Sequence, residues 1–216
     1  MPRPSRLAIT AASLTLVATA SLAGCSSPPF STGEAAYAVE ETITALRVDS
    51  FAGDIEVVPG TGGAVKVVET YEYTQGRPKT QHSVSGGELL LRHAGCGSVH
   101  EYDKCGVLYR VEVPASTVVR LSTGGGDIVA ENLSGSVHAE SGGGDVALSF
   151  AAVPDSVDAR SETGDVTVLV PRGPSYEVTA TTEGGHRDVG VRTARSSPNR
   201  IRVSSTFGDV RVLPAP

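Results

Sequence analysis

Tryptophan is absent from this 216-residue chain, methionine occurs once, and aromatic residues make up 5% of it. A core without such side chains must be filled by small and β-branched residues. That suits thin, closely stacked sheets better than a bulky globular interior. Lysine is scarce too, three residues against fifteen arginines, a bias we read as genome composition rather than as a binding signal. The single uncharged apolar run, Leu7 to Ser21, is too short and wrongly flanked for a stop-transfer helix. Familiar catalytic signatures are missing: no Gly-x-Ser-x-Gly elbow, no His-Glu-x-x-His, no phosphate-cradling glycine loop followed by lysine. The glycine-rich turns precede strands, so they lack the helix N-terminus that phosphate sites use.

What is present begins with an address. Arg3 and Arg6 precede the apolar run, and Leu22-Ala-Gly-Cys25 closes it with small residues, so residues 1–24 follow the grammar of an export signal, read as a signal helix. The "LAGC" stretch resembles the lipobox of bacterial lipoproteins. That resemblance implies that Cys25 becomes the mature N-terminus and carries diacylglycerol and an N-acyl chain, palmitate being the usual acyl group. It places the protein on the outer face of the bacterial cytoplasmic membrane. An ordinary secretory signal that happens to end before a cysteine is the alternative. Residues 25–36, through "SSPPFSTGEAA", read as a flexible tether. Removal of residues 1–24 takes two of the 18 basic residues and none of the 24 acids, leaving a net charge of −8. Such a domain is repelled by nucleic acid and by anionic headgroups, so membrane attachment falls to the lipid.

The body of the chain repeats itself. A template of alternating apolar residues, then Ser/Thr, two free positions, Gly-Asp and Ile/Val fits "LRVDSFAGDIEV" from Leu46, "VRLSTGGGDIVA" from Val119 and "VHAESGGGDVAL" from Val137. It fits again at "VDARSETGDVTV" from Val157 and "IRVSSTFGDVRV" from Ile201. A sixth copy, "VTATTEGGHRDVGV" from Val178, reads as carrying two extra residues, with Arg187 in a glycine position and Asp188 as its aspartate. A period near 20 residues predicts an all-β solenoid whose rungs each contain about two short strands. A two-sheet β-sandwich is the alternative, because strands spaced about ten residues apart suit either. Glycine permits the positive φ or close approach that a coil corner needs, and the adjacent aspartate can bind backbone NH groups. We therefore expect Asp54, Asp127, Asp145, Asp165, Asp188 and Asp209 to line one corner, as turn formers or, alternatively, as a calcium ladder. The Ser/Thr position is expected to form an inward polar ladder beside them.

Residues 58–118 break the period. "AVKVVETYEY" and "LLLR" read as strands, and "GVLYRVEVP" points Val107, Tyr109, Val111 and Val113 inward. We take this segment as wider rungs or a cap, within a single domain over residues 37–216. Once Cys25 is lipidated, Cys96 and Cys105 are the remaining cysteines, and outside the membrane such a pair is most simply a disulfide worth roughly 2.5–3 kcal/mol. His93 and His100 stand close enough in sequence to suggest a metal site as the alternative. Outward positions form two polar columns: Arg120, His138, Asp158, Thr179 and Arg202, then Ser122, Glu140, Arg160, Thr181 and Ser204.

The Gly-Asp-Val rungs, the early isolated copy and the run Cys105-x-x-x-Tyr-x-Val-x-Val-Pro114 resemble the "putative-adhesin" domain family. That family consists of β-solenoid domains of unassigned biochemistry, common in actinobacterial envelope proteins. The resemblance covers about residues 36–214; it implies the fold and assigns no binding residue. From these observations the expected function is a non-catalytic binding or adhesion module that meets cell-wall polysaccharide or an envelope protein through its polar face. A signalling or stress component that binds a membrane protein through residues 75–105 is one alternative. A carbohydrate-active β-helix enzyme is the other, and a cleft gathering His138, Asp158 and Arg160 would favour it.

Overall fold

The computed structural model describes residues 30–97 and 103–216. Residues 1–24, Cys25 and His100 lie outside the described residues. Numbered in chain order, β1 is Ser31–Val39, and the first template copy gives β2 (Ala45–Ser50) and β3 (Ile55–Pro59). The irregular segment gives β4 (Val65–Tyr73), β5 (Thr80–Ser85), β6 (Glu88–His93) and β7 (Cys105–Val113). The second to fourth copies give β8 (Val118–Thr123) with β9 (Ile128–Leu133), β10 (Val137–Ser141) with β11 (Val146–Phe150), and β12 (Ser156–Thr163) with β13 (Val166–Val170). The last two give β14 (Glu177–Gly184) with β15 (Arg187–Val189) and β16 (Arg200–Phe207) with β17 (Val210–Pro214). Among the described residues there is no helix.

Strand alternation sets the core. Val119 and Leu121 in β8, Val137 and Ala139 in β10, and Val157 and Ala159 in β12 are buried, while Arg120, between Val119 and Leu121, and Arg160, next after Ala159, are exposed. Each copy places its first strand in one sheet and its second in the other. The first sheet runs β1-β4-β7-β3-β9-β11-β13-β17-β15, the second β14-β16-β12-β10-β8-β2-β6-β5. Neighbouring copies pair in parallel and in register, Val119 beside Val137 beside Val157. A sandwich of hairpins would pair them antiparallel, so the chain is a β-solenoid. Antiparallel pairing is confined to one end, where β4 lies between β1 and β7 and β5 lies beside β6. Residues 31–36, expected in the tether, therefore belong to β1: Ala35 and Tyr37 pack on the core, and Ser31 pairs with Tyr73.

A chain of hydrogen bonds runs along the corner. The Asp127 backbone N–H donates to Asp54 Oδ1 at 2.9 Å, and Asp145 N–H to Asp127, Asp165 to Asp145 and Asp209 to Asp165, each at 2.8 Å. The series ends with the His186 N–H on Asp209 Oδ1 at 2.8 Å. The sixth copy differs from its expected alignment. Register pairs Arg187 with Val210 and Asp188 with Arg211, so the sixth copy has no extra residues, and His186 occupies its aspartate position. Asp188 falls two residues beyond the corner position, beside Arg211, and takes no part in the ladder.

This explains an order that chain position does not suggest. The copy from Ile201 lies between β12/β13 and β14/β15, although it follows both in sequence. His186 can receive the ladder through its amide donor but offers no carboxylate to another rung, so its copy must be terminal. Beside the aspartates, the Ser/Thr hydroxyls form the inward ladder: Ser141, Ser161 and Ser205 donate to the carbonyls of Gly126, Gly144 and Gly164 at 2.7–2.8 Å. These hydroxyls are buried and satisfied within the corner.

The glycine before the aspartate is required by contact as well as by φ. A Cβ on Gly144 (φ 154°) would stand 2.2 Å from the Gly126 carbonyl oxygen of the neighbouring rung, whereas Gly143 has open space around it. Gly144→Ala should therefore destabilise the fold by at least about 3 kcal/mol. Gly143→Ala should stay within about 0.5 kcal/mol of the parent in urea unfolding. Equal midpoints for the two variants would contradict close stacking of the corner.

Candidate functional site

The outward side chains of the second sheet form the two columns expected from the template. In stack order the first reads Arg47, Arg120, His138, Asp158, Arg202, Thr179; the second reads Asp49, Ser122, Glu140, Arg160, Ser204, Thr181. Arg47 and Asp49 were missed, although the copy from Leu46 places them at the template positions of Arg120 and Ser122. The interrupting residues 58–118 hid that this copy returns to lie against β8. The columns border an open depression of about 560 Å³ that includes Arg47, Asp49, Arg120, His138, Glu140 and Asp158.

Charges on this face are partly consumed. Arg160 reaches along its own strand to hold both oxygens of Asp158 (Nε to Oδ1 3.0 Å, Nη2 to Oδ2 3.1 Å), and this pairing raises the Arg160 pKa. Arg47 grips Asp49 in the same way at 3.1 Å. His138 lies 3.8 Å from Asp158 and 4.0 Å from Glu140. Arg120 and Arg202 make no ion pair within the described residues and project as free guanidiniums. A planar guanidinium fork is matched to carboxylates and to clustered acceptors of a ligand.

At the capped end, Cys96 and Cys105 are joined by a disulfide. His93 lies against it, with Nε2 3.8 Å from Cys105 Sγ. Burial pushes the His93 pKa below its ordinary value, against smaller opposing pulls from the Ala52 carbonyl and the Glu69 charge. The ring is consequently neutral at pH 7.

Also at this end is a cluster that sequence reading did not find. Glu69, 2% exposed, accepts hydrogen bonds from Tyr37 Oη at 2.8 Å, Thr80 Oγ1 at 2.6 Å and Tyr71 Oη. Burial followed by this carboxylate pushes the Tyr37 phenol pKa upward, and burial does the same to Tyr109. Thr80 belongs to the second sheet and Glu69 to the first, so the cluster ties the sheets together beyond the last regular rung. Its signal lay in the phase of Val65, Val67, Glu69, Tyr71, where an acid takes an inward position.

A family model described as Toastrack DUF4097 matches residues 109–213, from within β7 to β17. The matched stretch is just under half of the chain, and over it the chain is similar to that family. It leaves out β2 and β3, yet these supply a rung inside the same stack. A solved protein described as a "putative cell adhesion protein" from Clostridium sporogenes is 17% identical, with a TM-score of 0.66 over 86% of this chain and 100% of its own. That likeness shows the fold. A "putative adhesin" from Bacteroides fragilis is 14% identical, with a TM-score of 0.40 over 84% of this chain and 97% of its own. Curated proteins yield no match to the sequence.

The ladder's last carboxylate gives a pH test. The His186 N–H, then the His186 ring and Arg211, hold the Asp209 carboxyl below the usual range. Its contribution to stability is present above the unfolded value near about 3.9 and is lost as pH falls through the lower folded value. Asp209→Ala should be less stable than the parent at about pH 7, with the difference shrinking toward about pH 2. Urea midpoints measured across that range check it, and a gap independent of pH would rule out the ionised ladder.

Proposed function

We propose that this protein is a non-catalytic adhesion module of the cell envelope, lipid-anchored through Cys25, that binds an extended cell-wall polysaccharide along the outer face of its second sheet. The observation that carries this reading is the pair of unpaired guanidiniums, Arg120 and Arg202, set on a rigid parallel ladder on either side of His138 and Asp158. Side chains on adjacent rungs repeat at about 4.8 Å, a spacing suited to many weak contacts with a repeating polymer rather than to one deep pocket. Affinity then grows with the number of contacts, and no single side chain dominates. The description of the Clostridium sporogenes neighbour as a putative cell adhesion protein agrees with this reading.

A catalytic reading deserves comparison, because His138, Asp158 and Arg160 do share one face. Its chemistry is weak. His138 is 3.8 Å from Asp158, outside the roughly 2.6–3.2 Å over which a general base is usefully coupled. Asp158 is already held by Arg160 at both oxygens, so its lone pairs are engaged rather than aimed at a substrate.

A pull-down of residues 31–216 with isolated cell wall, alongside solubilised membrane proteins, tests the proposal. We expect retention on wall, weakened by up to about fivefold by each of Arg120→Ala and Arg202→Ala, as exposed ionic contacts of 0.2–1 kcal/mol imply. His138→Ala should change it little. Recovery of one membrane protein without wall binding would end the adhesive reading. In cells, Cys25→Ser should move the protein from the membrane fraction to the medium; continued membrane retention would end the lipid-anchor assignment.

A further inference from the structure

His93 occupies a position that its neighbours fill differently. In register it lies beside Ser50, and Ser50 beside Thr123, so it replaces a hydroxyl of the inward corner ladder with an imidazole. The ring is 2% exposed, and its Nδ1 has no hydrogen-bond partner. A buried polar ring left partly unsatisfied is costly to keep for packing alone. What it faces is sulfur: ligand atoms of His93, Cys96 and Cys105 all lie within 4.8 Å of one another. A tetrahedral zinc ion with a sulfur bond of about 2.3 Å and a nitrogen bond of about 2.0–2.1 Å holds those two atoms roughly 3.6 Å apart. His93 Nε2 and Cys105 Sγ are 3.8 Å apart without a metal. An open depression beside Phe51 and Lys104 reaches Cys105 and offers an entry path.

We propose that reduction of the Cys96–Cys105 disulfide converts this corner into a site for a soft divalent cation of the zinc type, held by both thiolates and the His93 imidazole. The disulfide itself is no ligand for such an ion, since the thiolate is the binding form. A dithiol reductant supplies two electrons and two protons: the Cys96–Cys105 bond breaks, two thiols form, and the reductant's sulfurs close into a disulfide. The cation then displaces both thiol protons to water, and two thiolates balance its charge. A fourth position remains for solvent, the arrangement of an open rather than a closed zinc site. The corner is thus a redox-gated cation site, separate from the polar face.

The test uses the full chain in detergent with Cys25→Ser, so that Cys96 and Cys105 are its only cysteines. Oxidised and phosphine-reduced protein are each titrated with Zn²⁺, and with Co²⁺ as a chromophore. We expect the reduced form to bind one Zn²⁺ per chain, to release about two protons on binding, and to show thiolate-to-cobalt absorption, while the oxidised form does none of these. His93→Gln should weaken Zn²⁺ binding by more than the roughly 10–100-fold that loss of an outer-shell partner costs. No uptake by reduced protein, equal uptake by both forms, or unchanged affinity in His93→Gln would overturn the proposal. Should His93→Gln fail to fold, proton release from the reduced parent decides: about two supports a dithiolate site, and none overturns it.

Discussion

From Asp54 to Asp165, the carboxylate of each corner aspartate accepts the backbone amide of the aspartate one rung on, and most of the architecture follows from that bond. It needs the two corners to superpose, so the strands on either side must pair in parallel and in register. Superposition in turn presses glycine against the neighbouring carbonyl, which no side chain at Gly144 or Gly164 would permit. It also resolves an electrostatic difficulty. Carboxylates stacked at rung spacing repel by roughly 0.8 kcal/mol per pair even in water, and the hydrogen bond that each accepts from a backbone amide offsets that repulsion. Near the end of the series Arg211 adds a cation between Asp165 and Asp209.

Because the corner supplies register, the flat sheet faces are free to vary. Inward positions need only small apolar residues, which is why Ala130, Ala139 and Ala159 serve beside valines and leucines. Outward positions can carry any polar side chain without disturbing the coil. The second sheet uses that freedom to pair some charges internally and leave Arg120 and Arg202 open. A scaffold of this kind separates the residues that hold the fold from those that meet a partner.

The same separation decides what the sequence reveals. Repetition of Gly-Asp and the alternation around it make the strands, the corner, the Ser/Thr ladder and both outward columns legible in the sequence itself. The sixth copy misled because Arg187-Asp188 looks like a displaced Gly-Asp, and only backbone register shows His186 in the aspartate's place. Spatial order was hidden for a related reason: which copy ends the stack depends on one missing acceptor, a detail that periodicity averages away. Glu69 was hidden because an acid at an inward phase is ordinarily a sign of a misread strand. Here three hydroxyls drawn from β1, β4 and β5 satisfy it, and no local pattern brings those together.

The placement of β16 and β17 inside the stack has a consequence for how the chain reaches this shape. A solenoid whose rungs follow chain order can grow one coil at a time, each new coil settling on the last. Here β14 gains its in-register neighbour only when residues 200–207 are available, and β2 meets β8 across an intervening stretch of more than sixty residues. Sequence-distant closures of this kind slow folding. The far end of the stack, β14 and β15, therefore cannot settle until the C-terminal strands β16 and β17 have taken their place beneath it.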